Sequence, residues 1–441
     1  MHAKRLLCAI ASVLLALVGC TTTLDVRPIE HSLYNREYKD AYEQVVDLQN
    51  SYLDSSGPLI YALDKGMIAH WANLYEESNE AFDEAELLIQ HLYTESILAN
   101  IGSYLVSETT RPYSGEDYED IYLTLFKALN YIQQQDIEAA QVELRRFNEK
   151  QQFLQHKYDP LLKKSQQASS YDLPSTQSMQ FSSSALGNYL SMIVHDALKE
   201  SDQADFSHRK VIEAFETQQQ LYPFALPKGV EERSPVEKNR VRLHLIAFSG
   251  LSPKKVSFVE RFWYTHNTYV KVALPQMLRR PTRVAEIEYI FSNGQSGTFE
   301  IIEDVGLVAL ETFKLNVGAI TSRTLLRSIL KATGTALIEG TTQVMAEATD
   351  DSDTALAIEV IGSFVSFFSR IYNEVSEQAD LRVSHFFPDR SWVAFIDVPP
   401  GVYSLKVNYK DRRGNVIDTQ YLKEVITSER GLNLIELYSP Y

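Results

Sequence analysis

Two hydrophobic rhythms divide the chain. From residue 33 to about 226, apolar residues recur at helical spacing among Glu, Gln, Leu and Ala. Pro and Gly are sparse in this half. They fall between segments, at Gly57-Pro58, Pro112, Gly115, Pro160 and Pro174, where they punctuate helices. From residue 240 onward, β-branched residues alternate with polar ones. The pattern predicts strands over 240–248, 268–273, 283–291, 297–302, 392–397, 403–409, 416–425 and 432–438. Asn293-Gly294, Pro399-Pro400-Gly401 and Arg413-Gly414-Asn415 predict the turns between them. A charged linker, 227–239, joins the halves.

Inside the second half the helical rhythm returns over about 304–376, with strongly apolar runs at 325–348 and 355–372. The fold class read from these patterns is α+β. An N-terminal all-α domain is followed by a β-sandwich-like domain with an inserted apolar helical hairpin. The 355–372 run has the length of a membrane span, but Glu359 sits inside it and favours a hairpin buried on the sheet.

The helical half repeats itself. Gly66, Ser78, Phe82 and Ala85 alternate small and large residues at the spacing of tetratricopeptide repeats. Two antiparallel helices approach closely only where side chains are small, and a large neighbour fills the gap. Ala128, Ala140 and Leu144 form a second copy, and Tyr189 to Ala204 a weaker third. The copies are wider apart than tandem repeats, which predicts extra helices near 95–108 and 150–168. Such repeats present a concave surface to a partner. The candidate partner-binding residues are Asn73, Asn130, Arg145 and Arg146, because an Asn on an inner helix can clamp a peptide backbone.

The first nineteen residues read as a signal peptide: Lys4 and Arg5, then an apolar run too short to span a bilayer. Leu17-Val18-Gly19-Cys20 resembles the bacterial lipobox, which predicts lipidation of Cys20 and a tether over 20–32. Cys8 would leave with the signal, so the mature chain would hold no free thiol. Thr21 after the Cys resembles lipoproteins sorted to the outer membrane, with the bulk of the chain in the periplasm.

Composition narrows the function classes. The chain has 441 residues, 44% hydrophobic and 23% charged, which is globular and enough for two or three domains. A net charge of −16 without a basic run speaks against nucleic acid. Two Cys exclude a disulfide scaffold. The ten His are scattered without an HExxH pattern, so no metal and no cofactor are expected. Counting an EF-hand from Asp351 places Leu356 and Gly362 where Gly and Glu are required. Ser252-x-x-Lys255 and Ser328-x-x-Lys331 match the start of a penicillin-binding motif, but neither is completed by SDN or KTG. The chain therefore reads as a non-enzyme. Asp304, Arg323, Arg327, Asp380 and Arg382 stand beside apolar runs and suggest ion pairs that tie the insertion to the sheet.

These stretches carry a resemblance. Residues 59–86 and 126–146, VALP at 272–275, SRTLLRSILK at 322–331, ADLR at 379–382, SW at 391–392 and VPPG at 398–401 resemble an uncharacterised family of bacterial lipoproteins with tetratricopeptide-like repeats. The family has ADLR and SW nearly adjacent; here eight residues separate them. The resemblance implies an envelope lipoprotein without known enzymatic activity, associated with lipoprotein activators of peptidoglycan synthases. It assigns no residue roles. The expected function is a protein-interaction scaffold in envelope assembly or cell-wall maintenance, anchored by lipid and bound to an envelope protein with a basic patch. The alternative is an oligomeric assembly or pore subunit that uses the 325–372 helices.

Overall fold

Helix hairpins build the first half of the computed structural model, which describes residues 24–98, 112–167, 181–265, 268–314 and 379–441. The helices are α1 (Arg27–Tyr34), α2 (Tyr38–Asp47), α3 (Gln49–Ser55), α4 (Pro58–Trp71), α5 (Tyr75–Leu98), α6 (Asp117–Gln133), α7 (Ile137–Gln167), α8 (Ala185–Ala197) and α9 (Ser201–Thr217). The hairpins α1–α2, α4–α5, α6–α7 and α8–α9 turn in the same way. Arg36, Asn73, Gln135 and Lys199 follow the first helix of each with φ near +60°. In each turn two backbone N–H groups return to the last carbonyls of that helix, as from Asn73 to His70 and from Leu74 to Ala69.

The predicted small–large packing is present. A Cβ on Gly66 would come within 2.6 Å of the Phe82 ring, and Ser78 donates to the Gly66 carbonyl at 2.8 Å. Ser78, Ala140 and Ala204 are fully buried. Extra helices were expected near 95–108 and 150–168; residues 99–108 lie outside the described residues, and the described remainder continues helices already begun. Residues 150–167 are no extra helix but the continuation of α7, which runs 31 residues through Pro160. Likewise, α5 runs to Leu98.

The linker is docked rather than free. It forms a short helix α10 (Lys228–Glu232) with Val230 buried, and Gly229 lies against Phe395.

The strands are β1 (Val241–Ser249), β2 (Lys254–Thr265), β3 (Thr268–Leu278), β4 (Glu286–Phe291), β5 (Ser296–Thr298), β6 (Glu300–Glu303), β7 (Arg390–Val398), β8 (Gly401–Lys410), β9 (Val416–Thr427) and β10 (Leu434–Ser439). They form a mixed sheet in the order β10-β1-β7-β6, an antiparallel sheet β5-β4-β8-β9, and the hairpin β2-β3. Strand β2 is absent from the sequence reading, and the strand expected over 297–302 is divided into β5 and β6. Pro275 sits inside β3, which among the described residues pairs only with β2, so its other edge needs no N–H there.

The mixed sheet is buried on both faces. Leu243, Leu245 and Ala247 of β1 join residues of both four-stranded sheets in one core, while Ile246 and Phe248 join the core of the helices. The helical and β halves therefore share a hydrophobic core. A helix α11 (305–314) follows β6 and opens the insertion. The apolar runs at 325–348 and 355–372, the acidic run at 350–353, and Arg323 and Arg327 lie outside the described residues.

Candidate functional site

Polar chemistry concentrates where the helices meet the mixed sheet. The chain returns from the insertion through an irregular segment, 383–389, that threads into the interior. Buried backbone needs partners. Asp64 accepts from His385 N–H at 2.7 Å, Glu119 from Ser384 N–H at 2.6 Å, and Ser252 N–H donates to Phe387 O at 2.6 Å. Lys255 pairs with Glu116 and lies over Tyr113. Ser252 Oγ donates to Ser384 O. Both residues of that Ser-x-x-Lys match thus have internal partners.

The insertion is clasped at its two ends. Arg279 at the end of β3 holds Asp389 at 2.7 Å and Asp304 at 2.8 Å, and Arg390 approaches Asp304 at 3.4 Å. Asp304 also accepts the Leu307 N–H and so caps α11. Burial raises the Asp389 carboxyl against the opposing pull of Arg279. Of the ion-pair residues expected from sequence, Asp304 belongs to this clasp through Arg279 and Arg390. Asp380 and Arg382 pair with each other at 2.8 Å.

Two clefts open nearby. The first, about 360 Å³, lies at the seam between α4 and the edge strands β9 and β10. His70 and Trp71 of α4 form its floor with Glu436 and Tyr438 of β10; the Trp71 and Tyr438 rings stack at 4.0 Å. Asn73, named as a partner contact from sequence, is on its rim in the α4–α5 turn and accepts from Tyr75 OH at 2.8 Å.

Asn130, the second named Asn, is wholly buried behind the floor, where a partner cannot reach it. Its Nδ2 donates to Ser78 Oγ and Asn79 Oδ1, both at 2.8 Å, which turns Oδ1 toward His70. His70 Nδ1 must therefore donate to Asn130 Oδ1, at 2.6 Å. His70 Nε2 meets Glu436 Oε1 at 2.6 Å, so the two side chains are tied to each other across the floor.

The second cleft, about 460 Å³, lies among α7, α8 and α9. Leu144 and Val194 give it an apolar base, and Phe206, half exposed, stands at its side. Arg145 lines this cleft and is exposed. Asn188 is 5% exposed; its Nδ2 donates to Ser183 Oγ and Ser184 O, which leaves Oδ1 to the cleft. Arg146 points elsewhere, into pairs with Glu86 and Glu143.

The structure thus separates the four residues named as partner contacts. Asn73 and Arg145 reach different clefts, while Asn130 and Arg146 serve the interior. Sequence reasoning missed His70, Glu436, Asn188 and Phe206. His70 and Glu436 are 366 positions apart, and no periodicity connects them. Asn188 was legible only as an Asn on the first helix of the weakest repeat copy.

Among the described residues, no group of three or more His, Cys, Asp or Glu is placed to hold a metal. No described helix is long and apolar enough to cross a membrane. Comparison with protein-family models, curated proteins and solved structures finds no match to this chain.

Proposed function

We propose that this is an envelope lipoprotein, tethered to the outer membrane through lipid on Cys20, whose tetratricopeptide-like helical domain docks an extended peptide of a periplasmic partner. On this reading the β half is a sandwich that carries the apolar hairpin, and the protein is a scaffold rather than an enzyme. The observation that carries it is the cleft among α7, α8 and α9. An apolar base lies between a buried amide oxygen, Asn188 Oδ1, and an exposed cation, Arg145. A backbone N–H of an extended segment would meet the amide, a carboxylate the guanidinium, and an apolar side chain the Leu144–Phe206 strip. The net charge of −16 draws a partner with a basic patch over longer range.

A photocrosslinking amino acid at position 206 of the full-length lipoprotein tests this in cells. One envelope protein should be captured, and the adduct should disappear with Arg145→Glu. An adduct that survives Arg145→Glu, or no adduct, refutes the docking site. Labelling with radioactive palmitate, abolished by Cys20→Ser, tests the anchor separately.

A further inference from the structure

We propose that the seam cleft between α4 and the β9–β10 edges is a second binding site, and that it takes an uncharged saccharide. The inference does not depend on the peptide reading of the helical cleft.

Pairing of the charged groups selects the ligand class. The protein carries a net charge of −16, yet each ionic group lining this cleft has a partner within the protein. His70 meets Glu436 at 2.6 Å, and Arg36 pairs with Asp418 at 2.7 Å. A cationic ligand would find no unpartnered carboxylate, and an anion no unpartnered guanidinium. What remains open is a mixed set of neutral donors and acceptors. Gln420 Oε1 accepts from Tyr409 OH at 2.7 Å, which leaves its amide N–H₂ to the cleft. Asn73 Oδ1 is taken by Tyr75 OH, so its N–H₂ is likewise open. Gln133 directs Nε2 to Glu436 Oε2, so its Oε1 is the open acceptor. Two amide donors and an amide acceptor match hydroxyl groups that both donate and accept.

The apolar part of the lining points the same way. Tyr75 and Tyr421 bring aromatic rings to the cleft, and Tyr421 is 59% exposed. Aromatic rings pack against the C–H face of a sugar ring while the amides hold its rim. The volume of about 360 Å³ falls in the range of small-ligand sites. The floor is fixed before a ligand arrives, because His70, Asn130 and Ser78 are locked in one hydrogen-bonded chain ending at Gly66 O.

The test uses the full-length protein in mild detergent. It is titrated with neutral mono- to tetrasaccharides of glucose, galactose, mannose and N-acetylglucosamine, followed by calorimetry and by intrinsic tryptophan fluorescence. At least one saccharide should bind saturably at one site. Tyr421→Ala, at an exposed position, should weaken it tenfold or more without moving the melting temperature. Phe206→Ala in the helical cleft should leave it unchanged. The proposal is overturned if no saccharide in the set binds, if binding survives Tyr421→Ala, or if only neutral peptides bind with that dependence. Loss of the crosslinked partner would leave this result untouched, so the two readings fail separately.

Discussion

Glu86 of α5 and Glu303 of β6 are both buried, 5% and 0% exposed, yet their surroundings are opposite in kind. Glu86 sits among cations: Lys150 at 2.6 Å, Arg146 at 2.8 Å and Lys127 at 2.9 Å. Burial alone would raise its carboxyl, but Lys150 and Lys127 outweigh it and hold the group at about 2. Glu303 has no cation partner among the described residues. It accepts from Tyr122 OH, from Ser184 Oγ and Tyr222 OH at 2.8 Å, and from Leu186 N–H at 3.3 Å. There burial dominates and raises the carboxyl despite these donors. The ionic cluster joins α5, α6 and α7 within the helical half; the hydroxyl cluster joins α6 and α8 to the sheet. An ionic cluster fails when one partner is lost. A hydroxyl cluster can serve either protonation state, because hydroxyls rotate.

The largest expected effect breaks the ionic side. Lys127→Ala leaves Asp83, Glu86 and Glu143 without their shared ammonium, and should cost about 3–5 kcal/mol in urea unfolding. A cost below about 1 kcal/mol would mean that Arg146 and Lys150 suffice. Next comes pH. The folded Glu86 carboxyl lies below its unfolded value, so its contribution is complete above about pH 4.5 and is lost as pH falls toward 2. That loss is roughly 3 kcal/mol, and urea midpoints across this range should flatten in Glu86→Gln.

Glu303 carries the opposite sign. Its raised carboxyl makes the fold bind the proton more tightly than the unfolded chain, so its contribution declines as pH rises above about 4.5. Glu303→Gln should remove that decline, whereas Tyr222→Phe should cost about 1–3 kcal/mol by removing one donor to the carboxylate and leaving the Ala185 N–H without its acceptor. The smallest effect is a gain. Lys199 holds φ +64° in the α8–α9 turn, and Lys199→Gly should raise the thermal midpoint by the equivalent of about 0.5–1 kcal/mol.

Helices were legible where the apolar rhythm ran long, and the three segments read as repeat copies fall on the helix pairs α4–α5, α6–α7 and α8–α9. The α1–α2 hairpin turns identically but carries no small–large signature, so it escaped notice. Turn positions were also hidden, because Arg36, Asn73, Gln135 and Lys199 occupy places where glycine would have announced the helix end. Strand β2 begins with two lysines after a proline, which reads as loop. Its first residues gain order from the Lys255–Glu116 pair, which no local pattern reveals.

The site was less legible than the fold. Arg145 and Asn73 were named from the repeat pattern and do reach clefts, but a side chain's direction depends on the neighbouring helix. Asn130 illustrates this. Its place on α6 matches the pattern, while Ser78, Asn79 and His70 from another hairpin turn it inward.

The sequence by itself determined the α+β division, the helix pairs and most strands, because periodicity records which face of each element meets apolar neighbours. The tertiary structure alone decided that helices and sheet share a core, that His70 meets Glu436, and that Asp304 and Asp389 close on Arg279. Those contacts join residues far apart in the chain. Their energies come from burial and from exact pairing of polar groups, and neither leaves a trace in local spacing.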